Sequence, residues 1–159
     1  MSTNNPSNIL FDACRAAKSN VADFAIDKYP YLVKNVDEEN NTPLHISCEK
    51  GMNVDTIKRL YQIYPEALKM FNNEGASPLH LTCMKGTSLE TLMFLCDEFP
   101  EGLSTPNEND DLPIHWISEE TTVEMVDFLV KKYPGGSAMK NKEGAYPFHV
   151  VCDKGESVV

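Results

Sequence analysis

Thr42-Pro43-Leu44-His45-Ile46-Ser47-Cys48 is the stretch that decides the reading, because it returns as Ser77-Pro78-Leu79-His80-Leu81-Thr82-Cys83 and Leu112-Pro113-Ile114-His115-Trp116-Ile117-Ser118. A fourth copy is Tyr146-Pro147-Phe148-His149-Val150-Val151-Cys152. The prolines fall at 43, 78, 113 and 147, so the spacings are 35, 35 and 34 residues. A fixed period of this size marks an array of stacked supersecondary units.

Two further ladders keep the same period. Tyr29-Pro30, Tyr64-Pro65, Phe99-Pro100 and Tyr133-Pro134 form one. The other lies just ahead of each Pro-x-His segment, with Asn40, Gly75, Asp110 and Gly144 at one position and Asp37, Asn72, Asn107 and Asn141 three residues earlier. Gly, Asn and Asp tolerate a left-handed backbone and bond their own main chain, so these positions predict tight turn tips.

A helix follows each tip. Thr42 and Ser77 can cap it, and proline at the first helical position sacrifices no hydrogen bond. Leu112 and Tyr146 lack that cap. Gly51, Gly86 and Gly155 end the first helix. A second helix follows, with one apolar stripe through Val54, Ile57, Leu60, Tyr61 and Tyr64, then through Leu89, Leu92, Leu95, Cys96 and Phe99, then through Val123, Val126, Leu129, Val130 and Tyr133. It must stop at the aromatic residue, because the residue before proline is driven out of the helical region. A short return segment leads to the next tip.

No single unit of this kind buries its own stripe, so neighbours must stack. The expected fold class is all-α, a helical solenoid of helix-turn-helix repeats joined by hairpin loops. The Thr-Pro-Leu-His segment, the glycine between helices and the turn Gly or Asn resemble the ankyrin repeat, whose signature is T-P-L-H-x-A at a period of about 33. The resemblance covers roughly residues 8–159. Departures are a longer period and a Tyr-Pro-Glu-Ala-Leu type segment where that family has Gly-Ala, so the linking hairpin is modified. The unit carrying Leu112, Ser118 and Thr121 is the weakest match.

This reading divides a single domain, 1–159, into a degenerate opening unit at 8–36, full units at 37–71, 72–106 and 107–140, and a partial unit at 141–159. Val158 aligns with Leu89 and Val123, so the chain ends as a second helix begins. Either the sequence belongs to a longer protein or a lone helix closes the stack.

Composition bounds the function. With 42% hydrophobic and 24% charged residues, the chain has the balance of a folded globular protein. Its formal charge of −10 opposes both phosphate neutralisation and an anionic membrane surface, and favours a basic partner. No stretch reaches the roughly 18 apolar residues of a membrane span. The N-terminus lacks the basic start and apolar run of a leader, so we expect an intracellular chain, cytoplasmic or nuclear. Of five cysteines, Cys48, Cys83 and Cys152 share one repeat position, which reads as buried thiols rather than disulfides. The sequon Asn40-Asn41-Thr42 is turn chemistry.

His45, His80, His115 and His149 also share one position, and three have a cysteine three residues on. A zinc site needs four ligands within about 2.0 to 2.3 Å of one ion, whereas stacked helices lie roughly 8 to 10 Å apart. The resemblance implies instead a structural histidine that bonds turn to helix. A nucleophilic Cys–His pair should be singular and oriented by a third group, and no such partner is evident. We therefore expect no metal, no cofactor and no enzymatic activity, with a metal or catalytic protein as the remote alternative. The acidic stretch from Asn107 fails the EF-hand register, with Leu112 and Ser118 where Gly and Glu are required. Trp116 has apolar counterparts in Ile46, Leu81 and Val150 and reads as core.

Ankyrin-type stacks hold partners on a concave face of hairpin tips and first helices. The resemblance carries that face onto Glu38, Glu39, Asn41, Glu49 and Lys50; onto Asn73, Glu74, Ala76, Met84 and Lys85; onto Glu108, Asn109, Asp111, Glu119 and Glu120; and onto Lys142, Glu143, Ala145, Asp153 and Lys154. The partner-binding set is Glu38, Glu39, Glu49, Lys50, Glu74, Met84, Lys85, Glu108, Asp111, Glu119, Glu120, Lys142, Glu143 and Asp153. Glu108, Asp110, Asp111, Glu119 and Glu120 concentrate carboxylates beside Met84 and Lys85. The expected function is a monomeric, non-enzymatic scaffold that binds a basic protein or peptide. A regulatory or targeting segment of a larger protein is the alternative.

Overall fold

The computed structural model describes residues 6–86 and 88–148, and every regular element among them is helical. The α-helices are α1 (Pro6–Arg15), α2 (Ser19–Lys28), α3 (Pro43–Glu49), α4 (Val54–Ile63), α5 (Pro78–Lys85), α6 (Leu89–Glu98) and α7 (Val123–Lys132). Short 3-10 turns run over Pro30–Lys34, Pro65–Lys69, Pro100–Ser104, Pro113–Trp116 and Pro134–Ala138. The partial unit beyond residue 148, with His149, Cys152 and Asp153, lies outside the described residues.

Local chemistry sets the boundaries. Pro43 and Pro78 open α3 and α5, and the Thr42 hydroxyl accepts the His45 N–H at 3.4 Å. Asn53, Ser88 and Thr122 cap α4, α6 and α7 by accepting the N–H groups of Thr56, Thr91 and Met125. These outer helices end on Tyr64, Phe99 and Tyr133 at φ near −139°, −140° and −136°, clear of the helical region as a following proline demands. The proline then seeds the 3-10 turn, so the return segment is itself ordered. Gly86 adopts φ 55°, and a Cβ there would run into the Glu120 carbonyl.

The helices pack in two rows. In the inner row α1 meets α3, α3 meets α5, and α5 meets the Pro113–Trp116 turn; in the outer row α2 meets α4, α4 meets α6, and α6 meets α7. One apolar cluster runs through both, from Leu10 and Ile26 past Leu44, Ile57, Leu79 and Leu92 to Ile114 and Leu129. Cys14, Cys48, Cys83 and Cys96 are buried in it as free thiols. Burial raises Cys14 to about 11 and Cys48 and Cys96 to about 12, so they remain protonated packing groups at neutral pH.

Two expectations need correction. The inner element of the third unit is a single 3-10 turn rather than an α-helix, and Ile117 leaves it at ψ 145°. Leu112 offers no capping oxygen, while the Ser118 and Thr121 hydroxyls donate to the Met84 and Cys83 carbonyls at the end of α5. Those residues serve the neighbouring helix instead of prolonging their own. Val123, placed on the buried stripe, is 81% exposed, and Met125 is buried in its stead. α7 packs on α6 along one side, and no described outer helix covers the other.

Candidate functional site

Each turn tip is built around one side chain. The Oδ1 of Asp37 accepts the N–H groups of Glu39 and Asn41, and Asn72, Asn107 and Asn141 repeat the pattern with Glu74 and Ala76, Asn109 and Asp111, Glu143 and Ala145. Asn40, Gly75, Asp110 and Gly144, at φ between 59° and 78°, reverse the chain. Burial alone would raise the Asp37 carboxyl, but the donors Asn41, Glu39 and Arg15 outweigh it and hold it below its ordinary value.

Histidine ties each of the first three tips to the element behind it. His45 Nδ1 accepts from the Thr42 N–H and hydroxyl, and its Nε2 donates to the Met70 carbonyl at 3.1 Å. His80 does the same between Ser77 and the Asp111 carbonyl, and His115 between the Leu112 N–H and the Met139 carbonyl. Both ring nitrogens are thus committed to structure. Desolvation lowers His45 and His80 to about 4. Among the described residues no group of three or more His, Cys, Asp or Glu is arranged to hold a metal ion.

The first tip is hydrogen-bonded to the second, and the third to the fourth. Between the first two, the Asn72 amide donates to Asn41 Oδ1 at 2.8 Å, the Asn40 amide to the Phe71 carbonyl, and the Asn73 N–H to the Glu39 carbonyl. Between the last two, Asn141 donates to Asp111 Oδ1 at 2.8 Å and the Lys142 N–H to the Asn109 carbonyl. This brings Glu38 and Glu39, Glu74, Glu108, and Lys142 and Glu143 into one succession of tips. A concavity lined by Arg15, Asp37, Glu39, Asn41, Ile46, Glu49 and Lys50 joins the first tip to the end of α3.

Glu38, Glu39, Lys50, Glu74, Glu108, Glu119, Glu120, Lys142 and Glu143 are exposed, and Glu49, Met84 and Lys85 half-buried. Asn41 and Ala76 are instead buried; Asn41 accepts the Asn72 amide and Asp111 the Asn141 amide, so these two join neighbouring tips, whereas Ala76 has no side-chain acceptor to offer the next. Lys142 turns its ammonium onto the Glu108 carbonyl. The sequence reading missed Arg15, whose guanidinium reaches Asp37 at 2.9 Å; it stands in a unit without the repeat motif, so no periodic signal marks it.

Charge is arranged differently on the outer helices. Arg59 pairs with Asp23 and Asp27, Lys58 with Glu90, and Lys132 with Asp97. On the tip face, among the described residues, Glu49 is the one carboxylate of the partner-binding set in an ion pair, with its neighbour Lys50. No described helix is long and apolar enough to cross a membrane. No family model matches the chain, and no curated protein matches it closely enough in sequence to count as a relative.

Proposed function

We propose that the chain is a divergent ankyrin-like helical solenoid that holds a basic protein or peptide against its acidic tip face. The observation that carries this reading is the contrast in charge pairing: Glu38, Glu74, Glu108, Asp110, Glu119, Glu120 and Glu143 stand exposed and without an ion pair among the described residues. The outer helices answer several of their carboxylates across neighbouring units. Unanswered like charges repel one another, and a cationic partner relieves that repulsion on docking. The described histidines and thiols are engaged in structure, which favours a scaffold over a catalyst.

Crosslinking capture with mass identification supplies the partner, and the triple variant Glu108→Lys, Glu119→Lys, Glu120→Lys tests the site. Its affinity is expected to fall at least tenfold at low salt, with the difference shrinking as salt screens it. Equal affinity of variant and parent at low salt would refute this siting.

A further inference from the structure

The outer helices end alike, on an aromatic ring followed by proline, yet a lysine from the preceding unit does not lie over every ring. Lys34 Nζ lies 5.8 Å from the centre of the Tyr64 ring, and Lys69 Nζ lies 5.0 Å from that of Phe99. Each lysine closes the 3-10 turn of the preceding unit. One period further on, Ser104 stands in the lysine position and Tyr133 in the ring position. The Ser104 hydroxyl donates to the Glu101 carbonyl at 2.9 Å, and serine carries no cation to lay over the ring.

A recess of about 200 Å³ opens there, lined by Ser104, Tyr133, Pro100, Leu103 and Asp97 among others. Gly136 packs against the Tyr133 ring, where a Cβ would come within 2.7 Å of a ring carbon. Lys132 also lines it, its ammonium 3.3 Å from Asp97 and over the Phe128 ring. Asp97 remains largely exposed and keeps an oxygen for a second cation.

We propose that this recess binds a lysine side chain of a partner protein, its methylene stem against Pro100 and Leu103 and its ammonium over the Tyr133 ring beside Asp97. The fold itself identifies the occupant, since the two preceding positions in the series are filled by lysines of the chain. An alkylammonium gains from the ring quadrupole and from burial of its stem together. The recess shares no residue with the acidic tip face and stands or falls independently of it.

The probe is acetyl-Ala-Lys-Ala-amide, titrated into the full chain while the aromatic resonances are followed by NMR, with the norleucine peptide as the uncharged control. A saturable shift at Tyr133 is expected with lysine and none with norleucine. Ser104→Lys is expected to abolish the shift, while Lys69→Ser is expected to create a second one at Phe99. The triple tip-face variant should retain the Tyr133 shift. The proposal is overturned if the wild-type chain shows no lysine-dependent shift, if the shift survives Ser104→Lys, or if it disappears with the tip-face charges. Should Ser104→Lys fail to fold, by circular dichroism, the Lys69→Ser arm decides: no new shift at Phe99 overturns it.

Discussion

The tip at Asp37–Asn41 and the tip at Asn72–Ala76 are nearly the same structure, but they meet their successors in different ways. The first is joined to the second through Asn40, Asn41 and the Glu39 carbonyl. The second is joined to the third by no direct tip-to-tip hydrogen bond among the described residues, and the Asn107 amide nitrogen is buried without a partner. Ala76 stands where the first tip has Asn41 and the third has Asp111, so the acceptor that Asn107 needs is missing. Other contacts hold this junction: His80 reaches across to the Asp111 carbonyl, and Ser118 and Thr121 bond the end of α5. Stacked units are therefore not interchangeable, since a single side chain at the tip moves the joint from the hairpins to the helix ends.

The largest effect expected on either junction comes from acid. His45 serves the first and His80 the second, and both stand at about 4 when folded against an ordinary value near 6.5. The unfolded chain therefore binds more protons between these values, and the stability these histidines contribute is full above pH 6.5 and lost as pH falls towards 4. The loss is of the order of 3 kcal/mol for each histidine. Denaturant unfolding at pH 7 and pH 4.5 measures it, and His45→Gln and His80→Gln should each flatten part of the slope. A slope unchanged in both variants would assign the acid sensitivity to other groups.

A smaller effect separates the two asparagines. Asn72→Ala removes two accepted bonds and the donated bond to Asn41, whereas Asn107→Ala removes two accepted bonds and relieves an orphaned amide. Asn72→Ala should cost about 1 to 3 kcal/mol more than Asn107→Ala, read from chemical denaturation midpoints. Equal costs would mean that the first junction gains nothing from its bond.

The smallest effect is a repair. Ala76→Asn restores at the second tip the acceptor present at the first, and should stabilise the chain by about 1 kcal/mol, visible as a rise of a few degrees in Tm. The gain should vanish when Asn107→Ala is added, because the two side chains act as a pair. A stabilisation that survives in the double variant would locate its origin elsewhere.

Much of this architecture is legible in the chain because its signals are local. Left-handed backbone at Asn40, Gly75, Asp110 and Gly144 follows from residue type and spacing, and the ends of the outer helices follow from the clash that proline imposes on the residue before it. Burial of the Cys48 and Cys83 thiols follows from their fixed place on the inner helix. Of the candidate face, the exposed tip carboxylates were readable as the residues flanking each left-handed position.

What the tertiary structure decided lies between units. Asn41 and Asp111 read as surface residues in the sequence but sit in the joints, because the tips stack closely enough for an amide of one to reach the next, and Ala76 is buried at the equivalent position without such a bond. The shortened inner turn at Pro113–Trp116 depends on Ser118 and Thr121 finding the carbonyls of α5, and the recess beside the Tyr133 ring on a serine one unit earlier. Backbone conformation answers to nearest neighbours along the chain, so residue order determines it. Which polar group finds a partner depends on residues some 35 positions apart, and only the packed helices bring those together.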